Sequence, residues 1–361
     1  MSKSNAPANT VSSAPASAIK VLEVGSYAAA YCGRLWTRAG ADVAQVALDK
    51  KAPGWVSNTA SELFTDSGKR RVPGCSPDEL ATLANRADIV IAEAGKADEL
   101  LALGFADWNT PIKLSITPFG LTGPKRNWRA TPNVLLAMGG YTQVIGAPDR
   151  APLSLPGHYL EFQTGALAYG VSQALHFSNK EDVIDLGMLE VLASLHHYTT
   201  VRYHADGQIR ERRGSDLWFV VPSDLFACAD GWVYLTITPS FWETFALLLD
   251  RPELIVDPKF ADNDARMTNR YEVQKIIAAC FAELTCAELE KKAHEFRVPL
   301  GIAQTPAEVM ADTHLEDRNF WELAGNTPAG DIKSPGLPWR GLERTIPEGA
   351  APTQVSASKL W

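Results

Sequence analysis

An apolar run at residues 21–24 breaks at Gly25-Ser26, residues 28–39 carry apolar side chains at helical spacing, and a second apolar run follows Gly40 at 42–46. This opening constrains the chain more than any other feature. A strand that feeds a helix and then another strand in one sheet needs a crossover connection, so the unit reads as β-α-β in a parallel sheet. The pattern recurs: a helix at 77–86 with Ser76 placed to cap it, strands at 88–91 and 112–116, helices at 133–144 and 161–177, a strand at 183–186, and a helix at 187–203. The expected core is a doubly wound α/β sheet.

Beyond Gly214 the character changes. Apolar runs at 224–228 and 232–237 flank Ala229-Asp230-Gly231, a hairpin signal, and helical patterns cover 241–249, 266–284 and 286–296. The expected organisation is a large α/β domain over 19–213 and a smaller α+β domain over 214–324. Residues 325–361, rich in Pro and Gly, read as an extended return segment rather than packed structure. Residues 1–18 lack the continuous apolar core of a signal peptide and are expected to be a disordered tail. No stretch reaches the roughly 20 apolar residues that a bilayer span needs, so a cytoplasmic protein is expected.

With 34 Lys and Arg against 42 Asp and Glu, the formal net charge is −8. Nucleic-acid affinity rests on clustered cations that neutralise phosphates, so neither a nucleic acid nor a membrane surface is an expected partner. Cys32, Cys75, Cys228, Cys280 and Cys286 are scattered, form no CxxC pair and have no histidine at zinc-finger spacing, and are expected to be buried free thiols. His196 and His197 are adjacent, which on a helix sends them to different faces, so no metal is expected.

Three segments stand where α/β sheets build sites. Gly25, Ser26, Tyr27 and Ala28 form the first strand-to-helix turn, without the GxGxxG of a dinucleotide fingerprint. An ordinary tight turn is the competing interpretation. Lys50, Lys51, Lys69 and Arg70 are basic clusters that either meet phosphates or keep a surface wet. The loop at 115–124, with Thr117 and Phe119, has two glycines and two prolines after a strand. Neither a GxSxG nucleophile elbow nor a P-loop occurs.

Together these segments resemble the class III coenzyme A transferase family, which includes formyl-CoA transferase and carnitine-CoA transferase and is related to α-methylacyl-CoA racemase. The resemblance is carried by Val21-Leu22-Glu23-Val24, by 35–43 (similar to "LGADVIKVE"), by Gly68-Lys69-Arg70, by 115–124 (similar to "SITGFGQTGP"), and by Ala137-Met138-Gly139-Gly140. Residues 184–190, 229–233 and 298–301 match further blocks. It implies a Rossmann-like parallel-sheet large domain, a smaller α+β domain, and a dimer of interlocked chains.

The resemblance also implies chemistry. In the transferases an aspartate opening a helix at "D-x-x-x-G" attacks the acyl-CoA carbonyl, giving a mixed anhydride and then an enzyme–CoA thioester. Matching the family glycine to Gly165 puts Glu161 at that position, one methylene longer. The implied activity is transfer of coenzyme A between an acyl-CoA thioester and a carboxylic acid. Glu161 is the catalytic carboxylate, Gly25, Ser26, Tyr27 and Ala28 lie along the CoA, Lys50, Lys51, Lys69 or Arg70 meet its phosphates, and Thr117 and Phe119 stand where formyl-CoA transferase has lysine and tyrosine. Asn133 replaces a common aspartate, Glu93-Ala94-Gly95-Lys96 replaces "EN-[FY]-x-PG", and the racemase histidine aligns with Pro132. Two alternatives stay open: a catalytically degenerate subunit paired with an aspartate-bearing paralogue in a heterodimer, and a CoA-dependent lyase or isomerase with Glu161 as general base.

Overall fold

The computed structural model describes residues 19–46, 59–217, 219–327, 330–339 and 352–361. The expected tail at 1–18 and the pair Lys50-Lys51 lie outside these residues. Two compact units make up the chain: Met1–Tyr141, Ser154–Val201 and Leu315–Trp361 form the first, Thr142–Leu153 and Arg202–His314 the second. No helix among the described residues is long and apolar enough to cross a membrane.

The first unit is built on strands β1 (Lys20–Val24), β2 (Asp42–Val46), β3 (Arg70–Val72), β4 (Ile89–Glu93), β5 (Ile112–Thr117) and β6 (Asp182–Gly187). The second unit holds β7 (Ser223–Ala227), β8 (Trp232–Thr236) and β9 (Leu300–Ile302); β10 (Trp321–Thr327), β11 (Gly330–Pro335) and β12 (Thr353–Gln354) return to the first. The seven-stranded sheet has the order β12-β3-β2-β1-β4-β5-β6, and every neighbouring pair is parallel. Strand order reverses between β1 and β4. In open α/β sheets that switch point is where the carboxyl ends of the strands part and leave a crevice for a ligand.

Helices α1 (Tyr27–Arg38), α2 (Thr59–Asp66), α3 (Pro77–Arg86), α4 (Ala97–Ala102), α5 (Pro132–Met138), α6 (Tyr141–Val144), α7 (Tyr159–Phe177), α8 (Met188–Leu195) and α9 (His197–Asp206) follow in chain order. The period-two alternation of β1 and β4 divides them between two faces. Val21, Ile89 and Ile91 point into a core shared with α1, α5, α7 and α8. Leu22, Val24, Val90 and Ala92 point into the core under α3 and α4. Burial on both faces explains why the strands read as continuous apolar runs.

Two expected helices are interrupted. The pattern at 133–144 carries across Gly139-Gly140, but Gly140 takes φ +85 and ends α5 before α6 begins. The pattern at 187–203 breaks at His196, whose N–H is shared between Leu192 and Ala193 carbonyls in a tightened last turn. Ser76 caps α3 as expected, in a capping box with Glu79.

The return segment departs from expectation. Instead of lying unpacked, β10 and β11 form an antiparallel hairpin, β12 adds a strand beside β3, and Leu360 is buried in the α3–α4 core. Arg34 donates to the Phe64 carbonyl at 2.6 Å and the Pro335 carbonyl at 2.8 Å, and Arg38 meets Glu322 at 2.8 Å. Burial, then the neighbouring Arg38, lowers the Arg34 guanidinium to about 10.

In the second unit α10 (Trp242–Leu248), α11 (Glu253–Val256), α12 (Asn263–Thr268), α13 (Arg270–Ala282), α14 (Cys286–Phe296) and α15 (Pro306–Met310) accompany the antiparallel sheet β7-β8-β9, and α16 (Thr313–Asp317) begins in this unit and ends in the first. The helical pattern at 266–284 splits at Asn269, whose side-chain amide bonds the Ala265 carbonyl at 3.0 Å and the Lys259 carbonyl at 3.1 Å. Residues 142–153 join this unit: Arg212 bonds the carbonyls of Gln143 and Ala147, and Gly146 bridges to Gly214.

Candidate active site

The parallel packing of α1 against α7 determines the site. Gly165 makes it possible, because a Cβ there would stand 2.5 Å from the Ala28 carbonyl oxygen and 3.1 Å from the Cys32 nitrogen. Trp36 Nε1 donates to Ser172 Oγ at 3.0 Å farther along, and at the other end the Tyr27 and His158 rings stack 3.9 Å apart. The amino termini of both helices therefore meet at the carboxyl edge of the sheet. Gly165→Ala is expected to destabilise the protein by about 1–3 kcal/mol, because backbone cannot yield as a flexible side chain does; urea unfolding measures this.

One turn before Gly165, Glu161 lies in the first turn of α7 with 1% of its surface exposed. Its Oε1 is 3.1 Å from His158 Nδ1, and its Oε2 is buried with no hydrogen-bond partner among the described residues. Burial raises its pKa, and the bond to His158 opposes that shift. Tyr31 and Phe162 stack at 4.6 Å beside it.

A second carboxylate sits at the amino terminus of α1. Glu93 ends β4 on the same face as Ile89 and Ile91. Its Oε2 accepts from the Ser26 N–H at 3.1 Å and the Ala29 N–H at 2.9 Å. The side chain of Ser26 makes no cap of its own. Gly25 takes φ +139, and a Cβ there would be 2.6 Å from the Cβ of Glu93, so this turn requires glycine to let β4 pass. Of the residues expected to lie along CoA, Ser26 thus has its amide bonded to the protein's own carboxylate.

Burial raises Glu93 to about 7, against the pull of the Ala29 and Ser26 amides, and the charge of Glu161 adds to the rise. A carboxyl whose folded pKa lies above its unfolded value stabilises the fold at low pH, and that contribution fades as pH climbs from about 4.5 through about 7. Glu93→Gln, which cannot ionise, is therefore expected to lose less stability than the parent between pH 5 and 8; urea melts across that range measure it.

Two of the four basic candidates, Lys69 and Arg70, are paired within the protein. Lys69 is 1% exposed; its Nζ contacts Glu23 Oε2 at 2.5 Å and the Ala30 carbonyl at 2.9 Å. Gly33 leaves the room that the Glu23 carboxylate fills. A cation neutralised in the interior is not placed to meet a phosphate. Arg70 pairs with Asp42 and lies over the Trp361 ring, 5.6 Å from its centroid, so it anchors the last residues.

Thr117 is buried at the end of β5, in register with Lys113 and Ser115 and opposite Ile116, so it faces away from the α1–α7 core. Phe119 packs on that core and meets Trp128 edge-on at 6.2 Å. The loop at 115–124 is pinned by Asp185, which accepts from Ser115 Oγ at 2.9 Å and the Leu121 N–H at 2.8 Å. His196 is buried beside Tyr141 while His197 is exposed, so they do not form a pair. Of the expected buried thiols only Cys32 is buried; the other four are half-buried.

Two site residues escaped the sequence reading. His158 stands three residues before Glu161, a spacing that puts both on one helix face. Glu93 closes an apolar strand at the switch point, where parity aims it at α1.

This geometry, two helix amino termini and two carboxylates at the switch point of a parallel sheet, accompanies a match to the description CoA-transferase family III over residues 78–354. The chain belongs to that family. It is 29% identical over 350 residues to a succinyl-CoA–D-citramalate CoA-transferase of Chloroflexus aurantiacus, covering 88% of this chain and 86% of that one. It is 28% identical over 335 residues to a succinyl-CoA:mesaconate CoA-transferase of Haloarcula hispanica, covering 84% and 83%. Its fold is shared with a CAIB/BAIF family protein from Brucella suis at TM-score 0.79 and 22% identity, over 95% of this chain and 97% of that one.

Proposed function

We propose that the protein transfers coenzyme A from an acyl-CoA of the succinyl-CoA type to a second carboxylic acid, with Glu161 as the covalent carrier. The observation that supports this is the carboxylate itself: buried, held at Oε1 by His158, and unpartnered at Oε2. A carboxylate buried at the helix terminus and oriented by His158 is placed to act as the nucleophile on a bound thioester. The relatives' names supply the donor class.

The steps balance. A Glu161 oxygen attacks the thioester carbonyl, the carbon–sulfur bond breaks, and CoA leaves as thiolate from a glutamyl–acyl anhydride. The thiolate attacks the Glu161 carbonyl and releases the first acid, leaving a Glu161 thioester. The acceptor carboxylate then repeats the two exchanges in reverse and departs as its CoA ester. No net proton is taken up or released. His158 orients Glu161, with its ring fixed by the Tyr27 stack. Hydroxylamine added during turnover is expected to yield a Glu161 hydroxamate in the digested protein; turnover with Glu161 unmodified contradicts the proposal.

The His158–Glu161 pair also favours a second reading, in which the pair moves a proton at the carbon next to the thioester. Exchange of that hydrogen with deuterated water, without CoA transfer, separates it from the first. The expected interlocked dimer belongs to the same proposal, and light scattering of the purified chain tests it; a monomer that is active contradicts it.

A further inference from the structure

The second unit brings together two thiols far apart in the chain. Cys228, next to the β7–β8 turn, and Cys286, the first residue of α14, hold their Sγ atoms 3.0 Å apart. Both are half-buried, and both are free cysteines. Non-bonded carbon atoms pack best at roughly 3.5–4.0 Å, and sulfur is larger, so these sulfurs converge well inside packing distance.

Their backbones are pinned. The Cys228 N–H donates to the Gly231 carbonyl at 3.0 Å, and the Ala229 N–H to the Leu284 carbonyl at 2.8 Å, which ties the turn to the segment entering α14. Asp230 Oδ1 accepts from the Cys286 N–H at 2.7 Å. A Cβ at Gly231 would be 2.9 Å from Cys286 Sγ, so the glycine leaves the space that the thiol uses.

Cys228, Asp230 and Cys286 also place three possible metal-ligating atoms within 4.8 Å of one another. The donor set favours a sulfur–sulfur bond, since a structural zinc takes four ligands and three side chains converge here among the described residues. Asp230 Oδ1, moreover, is already committed to the first amide of α14. A disulfide at roughly 2.05 Å needs the sulfurs to close by about 1 Å, within the reach of side-chain rotation.

We propose that Cys228 and Cys286 are a redox pair that forms a reversible disulfide by exchange with a small-molecule disulfide of the glutathione class. One protein thiolate attacks the small disulfide, forming a mixed disulfide and expelling one small thiol. The second cysteine attacks the mixed disulfide and expels the other. Two protein thiols are oxidised, one disulfide is reduced, and the two protons end on the released small thiols. Burial, with the contacts to Cys228 and Asp230, pushes the Cys286 thiol up to about 12, which disfavours its thiolate as the first attacker. The bond closes a loop that contains β8 and α10 to α13, so oxidation restricts the unfolded chain and strengthens this unit.

The test incubates the reduced full chain with oxidised glutathione, blocks remaining thiols and maps peptides without reduction. The expected result is one linked peptide pair joining Cys228 to Cys286, reversed by dithiothreitol, with a thermal midpoint a few degrees above the reduced protein. Cys228→Ser and Cys286→Ser lose both effects; Cys75→Ser and Cys280→Ser keep them. Five persisting thiols, mixed disulfides that never resolve, or a link between other cysteines overturns the proposal. Zinc bound by the reduced chain that blocks both thiols from glutathione overturns it equally.

Discussion

Glu161→Gln lowers CoA transfer by about ten-thousand-fold or more, since removal of a covalent nucleophile abolishes a route rather than slowing it. The fold survives. Burial raises the Glu161 pKa, so its ionised form costs stability as pH rises through the folded pKa, and the neutral amide removes that cost. Urea unfolding of the variant at neutral pH is expected to match or exceed the parent. Glu161→Asp retains the chemistry but withdraws the carboxylate by roughly 1 Å, for a loss of about 100-fold. Equal turnover by Glu161→Gln and the parent contradicts the covalent role.

Lys69→Met destabilises the protein by about 3–5 kcal/mol and leaves the KM for acyl-CoA unchanged. Removing one partner of a buried ion pair strands the other, here Glu23, whose pKa burial already raises in the presence of Lys69. The double variant Glu23→Gln with Lys69→Met recovers much of the loss, because replacing both partners leaves no orphaned charge. A raised KM at unchanged stability in Lys69→Met would restore the phosphate-binding role that the sequence motif predicts. Urea unfolding alongside acyl-CoA saturation curves decides between them.

Lys69 also shows where sequence reading runs short. Gly68-Lys69-Arg70 is a basic run in an acidic chain, and nothing local reveals that Gly33 opens a space for Glu23 across the α1–β1 contact. The parallel sheet was legible because strands buried on both faces write continuous apolar runs, with glycine at the turns. Helix ends at Gly140, His196 and Asn269 were not, since apolar periodicity continues through a break that only backbone geometry makes. Glu161 could be placed by its spacing to Gly165. The side chains that define its surroundings, His158 and Glu93, need the helix face and the strand parity that the fold supplies. Cys228 and Cys286 converge only once β7–β8 and α14 have packed.

The covalent role of Glu161 is tested most directly by turnover with an acceptor acid labelled with heavy oxygen in its carboxylate. Each pass through the two anhydrides leaves one acceptor oxygen on the glutamate, so the peptide containing Glu161 gains the mass of one heavy-oxygen substitution and passes the label to the released acid in the next cycle. Full turnover with an unlabelled Glu161 contradicts the account.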